Sequence, residues 1–347
     1  MTLSKRCGLF VSLLLVLFQS TALEAQTKAQ TGYHIVKQFK LGGEGGWDYL
    51  TIDPKARRLY VSHATHVMVV DADTGAVVGD IPDTSGVHGI AIVEDEGKGY
   101  TSNGRTSTVT VFDLKTLKTL KTIPVGKNPD AIIYDPASKR VFTMNGASKD
   151  VSAIDVKTDT PIGILSLGGR PEFAVSDENG HVFVNLEDKS AIVEFDSRKL
   201  AVEATWPIAP AEEPSGLAFD RKHRRLFTVG SNKLMAVVNA DTGKVITTVP
   251  IGEGVDAAGF DPETGLIFSS NGEGTLTVVH EDSPDKFMVV ENATTQRGAR
   301  TMALDTKTHR VYLVTAEFGP PPAPTPERPH PRPSIMPGTF TLLVVGK

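Results

Sequence analysis

From Tyr33 onward, short apolar runs alternate with polar turns along the whole chain. "DAIIYD" (130–135), "RVFTMN" (140–145), "VSAIDV" (151–156) and "PIGILSL" (161–167) each read as a strand. Val, Ile, Phe and Thr dominate them, and Gly, Asn, Asp and Pro fill the gaps. Outside the first residues no apolar period of 3.6 is sustained, which argues against a helical solenoid.

This four-strand phrase recurs. Aligned on the first strand, the repeats are "DYLTID" (48–53), "HGIAIV" (88–93), "DAIIYD" (130–135), "EFAVSD" (172–177), "SGLAFD" (215–220), "DAAGFD" (256–261) and "RTMALD" (300–305). Their spacing of about 40–44 residues is that of a four-stranded propeller blade. The expected fold is all-β: a seven-bladed β-propeller. The last repeat has three strands, at 300–305, "RVYLVT" (310–315) and "FTLLVVG" (340–346). "YHIVKQFKLGG" (33–43) resembles the fourth strands "LKTIPVGK" (120–127) and "ITTVPIGEG" (246–254). It is expected to complete the last blade and close the ring, which removes an exposed edge.

"TIPVGKNPDAIIYDP" (122–136), "TVPIGEGVDAAGFDP" (248–262) and the hairpins "YTSNGRTSTVTVFD" (100–113) and "FTMNGASKDVSAID" (142–155) make the chain resemble the YVTN-repeat, YncE-like β-propellers. The resemblance spans nearly all of residues 31–347. It implies the propeller fold. Propellers related in this way serve as binding scaffolds, cofactor-bearing redox subunits, lactonases and lyases, so it selects no activity.

One position in the repeat changes chemistry while its frame persists. Its occupants are Asp48, His88, Asp130, Glu172, Ser215, Asp256 and Arg300. The first strand of a propeller blade lines the central channel, so these residues are expected at one channel mouth. Ionisable groups gathered in a cleft couple and shift one another's pKa values. The same rim is expected to carry Glu44, Trp47, His63, His66, Gln296, Arg297 and Glu317, and the turn asparagines Asn103, Asn145, Asn185 and Asn271.

Two readings of the mouth stand open. In the first, the chain is a binding or scaffold protein. Asp48, His88, Asp130, Glu172, Asp256 and Arg300, with Trp47, Arg297 and Glu317, hold a small ligand, a metal ion or a protein partner. In the second it is a hydrolase or lyase, lactonase-like and metal-dependent or not. A carboxylate such as Asp130 or Glu172 then acts as base, His88 is its partner, and Arg300 holds an anionic oxygen. A divalent metal ion is the one cofactor the residue types suggest, with His63, His66, His88 and Asp48 as candidate ligands. An accessory subunit of a periplasmic redox system is a weaker option: no "CxxCH" is present, so a redox centre would belong to a partner. No G-x-S-x-G elbow occurs.

Composition narrows the setting. "MTLSKRCGLFVSLLLVLFQSTALEAQ" has Lys5 and Arg6, an apolar core, then small residues. It reads as a secretory signal peptide over residues 1–25, too short in its apolar run for a comfortable span. Its removal takes away Cys7, the single cysteine, and leaves no disulfide or thiol chemistry. The expected location is periplasmic or secreted, and the expected partner a small molecule or periplasmic protein. The net charge of −5 gives no global attraction to nucleic acid. Arg57, Arg58, Lys139, Arg140, Arg224, Arg225 and Arg310 cluster in the opposite-face turns, but each turn begins with an Asp expected to neutralise them. A Pro-rich insertion, 318–338, separates the second and third strands of the last blade and emerges beside the mouth. Its composition favours extended polyproline, as lid, docking segment or loose excursion.

Overall fold

The structure, a computed structural model, describes residues 1–2, 32–323, 325 and 333–347. Residues 3–25 of the expected leader, and Glu327, Arg328, His330 and Arg332 of the insertion, lie outside the described residues.

Each repeat forms one antiparallel sheet, and there are seven sheets of four strands. In the third blade the strands are Pro129–Asp135, Arg140–Asn145, Asp150–Asp155 and Thr160–Ser166, paired in chain order. Burial follows position in the blade. The two middle strands are almost wholly buried, whereas the outermost strand of the second blade, Thr119–Pro124, is exposed at all but Ile123 and the same edge elsewhere is mostly exposed or half-buried. Middle strands carry apolar residues on both faces because each face meets a neighbouring blade. Aromatic pairs mark those seams: Tyr60–Phe112 at 5.7 Å, Phe142–Phe195 at 5.4 Å and Phe183–Phe219 at 5.4 Å between ring centroids.

The ring closes as the repeat count requires. Strand His34–Lys40 pairs antiparallel with Thr341–Gly346 at the outside of the last blade. Tyr33 fastens it: its ring packs edge-on against Phe268 of the sixth blade at 5.1 Å, and its hydroxyl donates to the His309 carbonyl at 3.0 Å.

The Asp that closes most of the first strands has a local job. Asp53 Oδ1 accepts the backbone N–H groups of Lys55 (3.0 Å) and Ala56 (2.7 Å), and Asp220, Asp261 and Asp305 accept the N–H two residues on. Such Asx turns tie the first strand to the second and explain why this part of the frame persists. Among the described residues no helix is long and apolar enough to cross a membrane.

Candidate functional site: the channel mouth

The variable position sits on a bulge. In the first six blades the pairing of first to second strand slips there: between Trp47 and Leu50, Val87 and Ile90, Pro129 and Ile132, Pro171 and Ala174, Pro214 and Leu217, and Val255 and Ala257. A bulge bends the strand and re-aims a side chain. In the seventh blade the first strand begins at Met302, so Arg300 lies in the loop before it. Neighbouring blades pin these bends. Ser102 donates to the Asp130 carbonyl, Ser270 to the Arg300 carbonyl, and Asn185 Nδ2 to the Ser215 carbonyl at 2.7 Å.

The next residue along closes the channel. It is small in five blades (Gly89, Ala131, Gly216, Ala257, Thr301) and aromatic in two, Tyr49 and Phe173. The two rings stack at 5.4 Å. The glycines are required by close approach: a Cβ on Gly216 would stand 2.6 Å from the Ala257 Cα. A cavity of about 30 Å³ lies among Asp48, Tyr49, Glu172, Phe173 and Asp256, room for a water but not for a substrate.

Above this plug the ionisable groups meet. His88 Nδ1 lies 2.5 Å from Asp48 Oδ2 and 3.7 Å from Asp130 Oδ1. Burial alone would lower the His88 pKa, but the Asp48 hydrogen bond and the charges of Asp130 and Asp48 outweigh it and raise the pKa. Asp130 is 7% exposed, and burial, opposed by the His88 charge, lifts its carboxyl to about 6. Burial and then the Asp130 charge push Glu172 up to about 9. Burial lifts Asp256 to about 7 against the pull of Arg300, whose Nε is 3.4 Å away. The Tyr49 hydroxyl, buried beneath these acids, is held well above its usual range by burial first and Asp130 second. Among the described residues, Asp130 Oδ1 and Glu172 Oε2 are buried and take part in no hydrogen bond, and each faces a cation only at 3.7 Å, His88 and Arg170 respectively.

Asp48, His88, Asp130, Glu172, Asp256 and Arg300 thus lie within reach of one another's charge. Trp47, Arg297 and Arg300 line an adjoining pocket, while Glu44 and Glu317 are exposed on the rim. The expected ligand set divides. Asp48 and His88 form a grouping with Asp130, their candidate ligand atoms all within 4.8 Å of one another, and His63 and His66 belong to no such grouping among the described residues. His63 is fully buried against Phe340 at 4.6 Å, with neither ring nitrogen hydrogen-bonded, and burial lowers its pKa to about 4. His66 faces Asp80 at 3.7 Å.

The asparagines also differ from expectation. Asn103, Asn145 and Asn271 are buried; each accepts from a hydroxyl two residues back and donates to the third strand, as Asn103 does to Thr110 at 2.9 Å. They lock hairpins and do not face the mouth. Three contributors went unforeseen. Arg170 bridges Glu172 (3.7 Å) and Glu187 (2.7 Å), and Tyr49 and Phe173 form the plug. The aromatic pair was visible in the alignment, at the position after the variable one. Arg170 had no such signal.

On the opposite face Arg57 and Arg224 are engaged. Arg57 pairs with Asp73 (2.7 Å) and Asp305 (2.5 Å), and Arg224 with Asp241 (2.8 Å) and Asp177 (3.2 Å). His181, His223, His280 and His309 each set Nδ1 against a nearby carboxylate, His223 between Asp220 (2.6 Å) and Glu281 (3.1 Å).

No family model matches the chain, and no curated protein matches it. Among solved structures, it is similar to a chain of Kuenenia stuttgartiensis hydrazine synthase with a TM-score of 0.69. That alignment covers 77% of this chain and 92% of the other at 15% identity, a likeness of fold alone: the chain is a seven-bladed β-propeller.

Proposed function

We propose that this chain is an exported binding propeller whose channel mouth holds a divalent first-row metal cation between Asp48, His88 and Asp130. The observation that carries the reading is Asp130 Oδ1: a buried carboxylate oxygen with no hydrogen bond, 3.7 Å from His88 Nδ1. An ion pair at 3.7 Å offsets only part of the desolvation of that oxygen, whose loss of a hydrogen bond costs about 1–3 kcal/mol. A dication between the three side chains removes that cost. It would displace the proton that now links His88 to Asp48 and spread that pair from 2.5 Å toward the ~3.3 Å separation of ligands on a zinc-sized ion.

The surroundings suit this role. An added Cβ on Gly104 would lie 2.7 Å from His88 Nε2 and 2.9 Å from Asn128 Oδ1, so the outer ring nitrogen and the amide oxygen share one corner. A proton on Nε2 directed at that oxygen would leave Nδ1 free to ligate. One nitrogen and two carboxylate donors, with a position open toward solvent, suit zinc, manganese or iron(II) better than calcium. The leader-like start supports a place outside the cytoplasm. The hydrolase or lyase alternative calls on the same raised carboxyls, but the 30 Å³ cavity between them admits no substrate, so one would have to react from the rim.

Isothermal titration of chelator-stripped protein with zinc tests the reading. One equivalent should bind. Because outer-shell partners alone are worth about 10–100-fold, Asp130→Asn should weaken binding at least about 100-fold. Unchanged affinity in that variant would end the proposal.

A further inference from the structure

Beside the acid cluster lies a pocket of opposite character. It measures about 400 Å³, within the usual range for a small-molecule cleft. Trp47, Phe318, Pro333 and Ile335 form its apolar wall, and Arg297 and Arg300 supply its charge. Glycine backbone makes up the rest of the lining, so among the described residues no carboxylate faces it.

The wall is built and held. Phe318 and Ile335, at the two feet of the Pro-rich insertion, form an antiparallel bridge. Flanking bonds from Gly319 N to Ser334 O (2.9 Å) and Met336 N to Glu317 O (2.8 Å) extend it into a two-stranded stub. That stub leans on Trp47, whose ring lies 6.2 Å from Phe318 and 5.2 Å from Phe340. Gly298 admits it: a Cβ there would stand 2.7 Å from the Phe318 ring. Phe318, Pro333 and Ile335, at the feet of the insertion, therefore form one side of the pocket.

The charge is left over. Arg300 has a single carboxylate neighbour, Asp256, at 3.4 Å, and is 41% exposed. Arg297 is exposed, and among the described residues its guanidinium has no ion-pair or hydrogen-bond partner. Two guanidinium groups, of which only Arg300 has a carboxylate neighbour among the described residues, set against a Trp–Phe wall, match a flat apolar body ending in an acid. Arginine's planar fork takes a carboxylate by two parallel N–H bonds.

We propose that this pocket binds a small organic anion, an aromatic or short-chain carboxylate, with its acid on Arg297 and Arg300 and its body against Trp47 and Phe318. It shares no side chain with the cation site, although Trp47 and Asp48 are consecutive.

The chain has two tryptophans, so its ¹⁵N-labelled form gives two indole signals. Trp47 reports on the pocket. Trp206 lies in the outer strand Ala201–Pro207, against Phe183 at 6.1 Å, and serves as the internal control. Titration with trans-cinnamate in the presence of EDTA should move the Trp47 signal saturably, with a dissociation constant of ~1 mM or tighter, and leave Trp206 still. Cinnamamide should bind at least about tenfold more weakly, and Arg297→Gln should weaken cinnamate by a similar factor. Arg297 is exposed, so that variant should fold, and Asp130→Asn should bind cinnamate like the wild type. No saturable shift, equal binding of the amide, or indifference to Arg297→Gln would overturn the proposal. Loss of binding in Asp130→Asn would also overturn it, by placing the anion at the acid cluster.

Discussion

Replacing Glu172 by Gln offers a sharp test of the electrostatics of the mouth. Glu172 is half-buried, one oxygen has no hydrogen bond among the described residues, and burial and the Asp130 charge lift its pKa from 4.5 to about 9. A carboxyl whose folded pKa is raised lends full stability below its unfolded pKa, and loses it as pH climbs toward the folded value. The window is therefore about pH 4.5 to 9. At 1.36 kcal/mol per unit, keeping this proton at pH 7.5 costs at most about 4 kcal/mol. The repulsion is shared with Asp130 and Asp256, so about 2 kcal/mol is the working figure. Gln mimics the protonated acid and carries no such cost. Urea unfolding in EDTA should find Glu172→Gln about 2 kcal/mol more stable than wild type at pH 8, with the advantage gone at pH 5. Equal destabilisation at both pH values would refute the reasoning, since a packing defect does not titrate.

Other consequences follow from the same geometry. Zinc affinity should rise steeply as pH climbs through 6, because protons held by Asp130, at about 6, and by the raised His88 compete with the cation; a flat profile from pH 5 to 7.5 would contradict the ligand set. Gly216→Ala places a Cβ 2.6 Å from backbone of the next blade and should cost about 1–3 kcal/mol in urea unfolding. Removing residues 32–40 strips the closing strand from Thr341–Gly346 and should lower the thermal midpoint and promote association through the bared edge. An unchanged midpoint would argue against closure of the ring by that strand.

Much of the fold was legible because one blade is written seven times. The strand-and-turn phrase, its spacing of about 40–44 residues and the missing last strand together point to a closed seven-bladed ring, and the pairing of His34–Lys40 with Thr341–Gly346 follows that count. The mouth was legible in outline, because Asp48, His88, Asp130, Glu172, Asp256 and Arg300 occupy one slot in the frame. The details depended on direction, which a frame does not state. His63 pairs with Trp47 beside the slot in the hairpin but is buried against Phe340. Asn103 and its counterparts fall at the right turn, yet spend their hydrogen bonds inside the hairpin. The bulge that turns Asp130 toward His88 is a backbone slip with no residue signature of its own. Arg170 lies just before its strand and meets Glu172 only through side-chain reach.

The cation at the mouth is the central claim, and anomalous diffraction from a crystal soaked in zinc tests it most directly. The account predicts one strong peak at the channel mouth, about 2.0–2.2 Å from His88 Nδ1 and from one oxygen each of Asp48 and Asp130. It also predicts that the His88–Asp48 pair will have opened from its present 2.5 Å. A mouth without a peak, with zinc on surface histidines such as His66 instead, would contradict it.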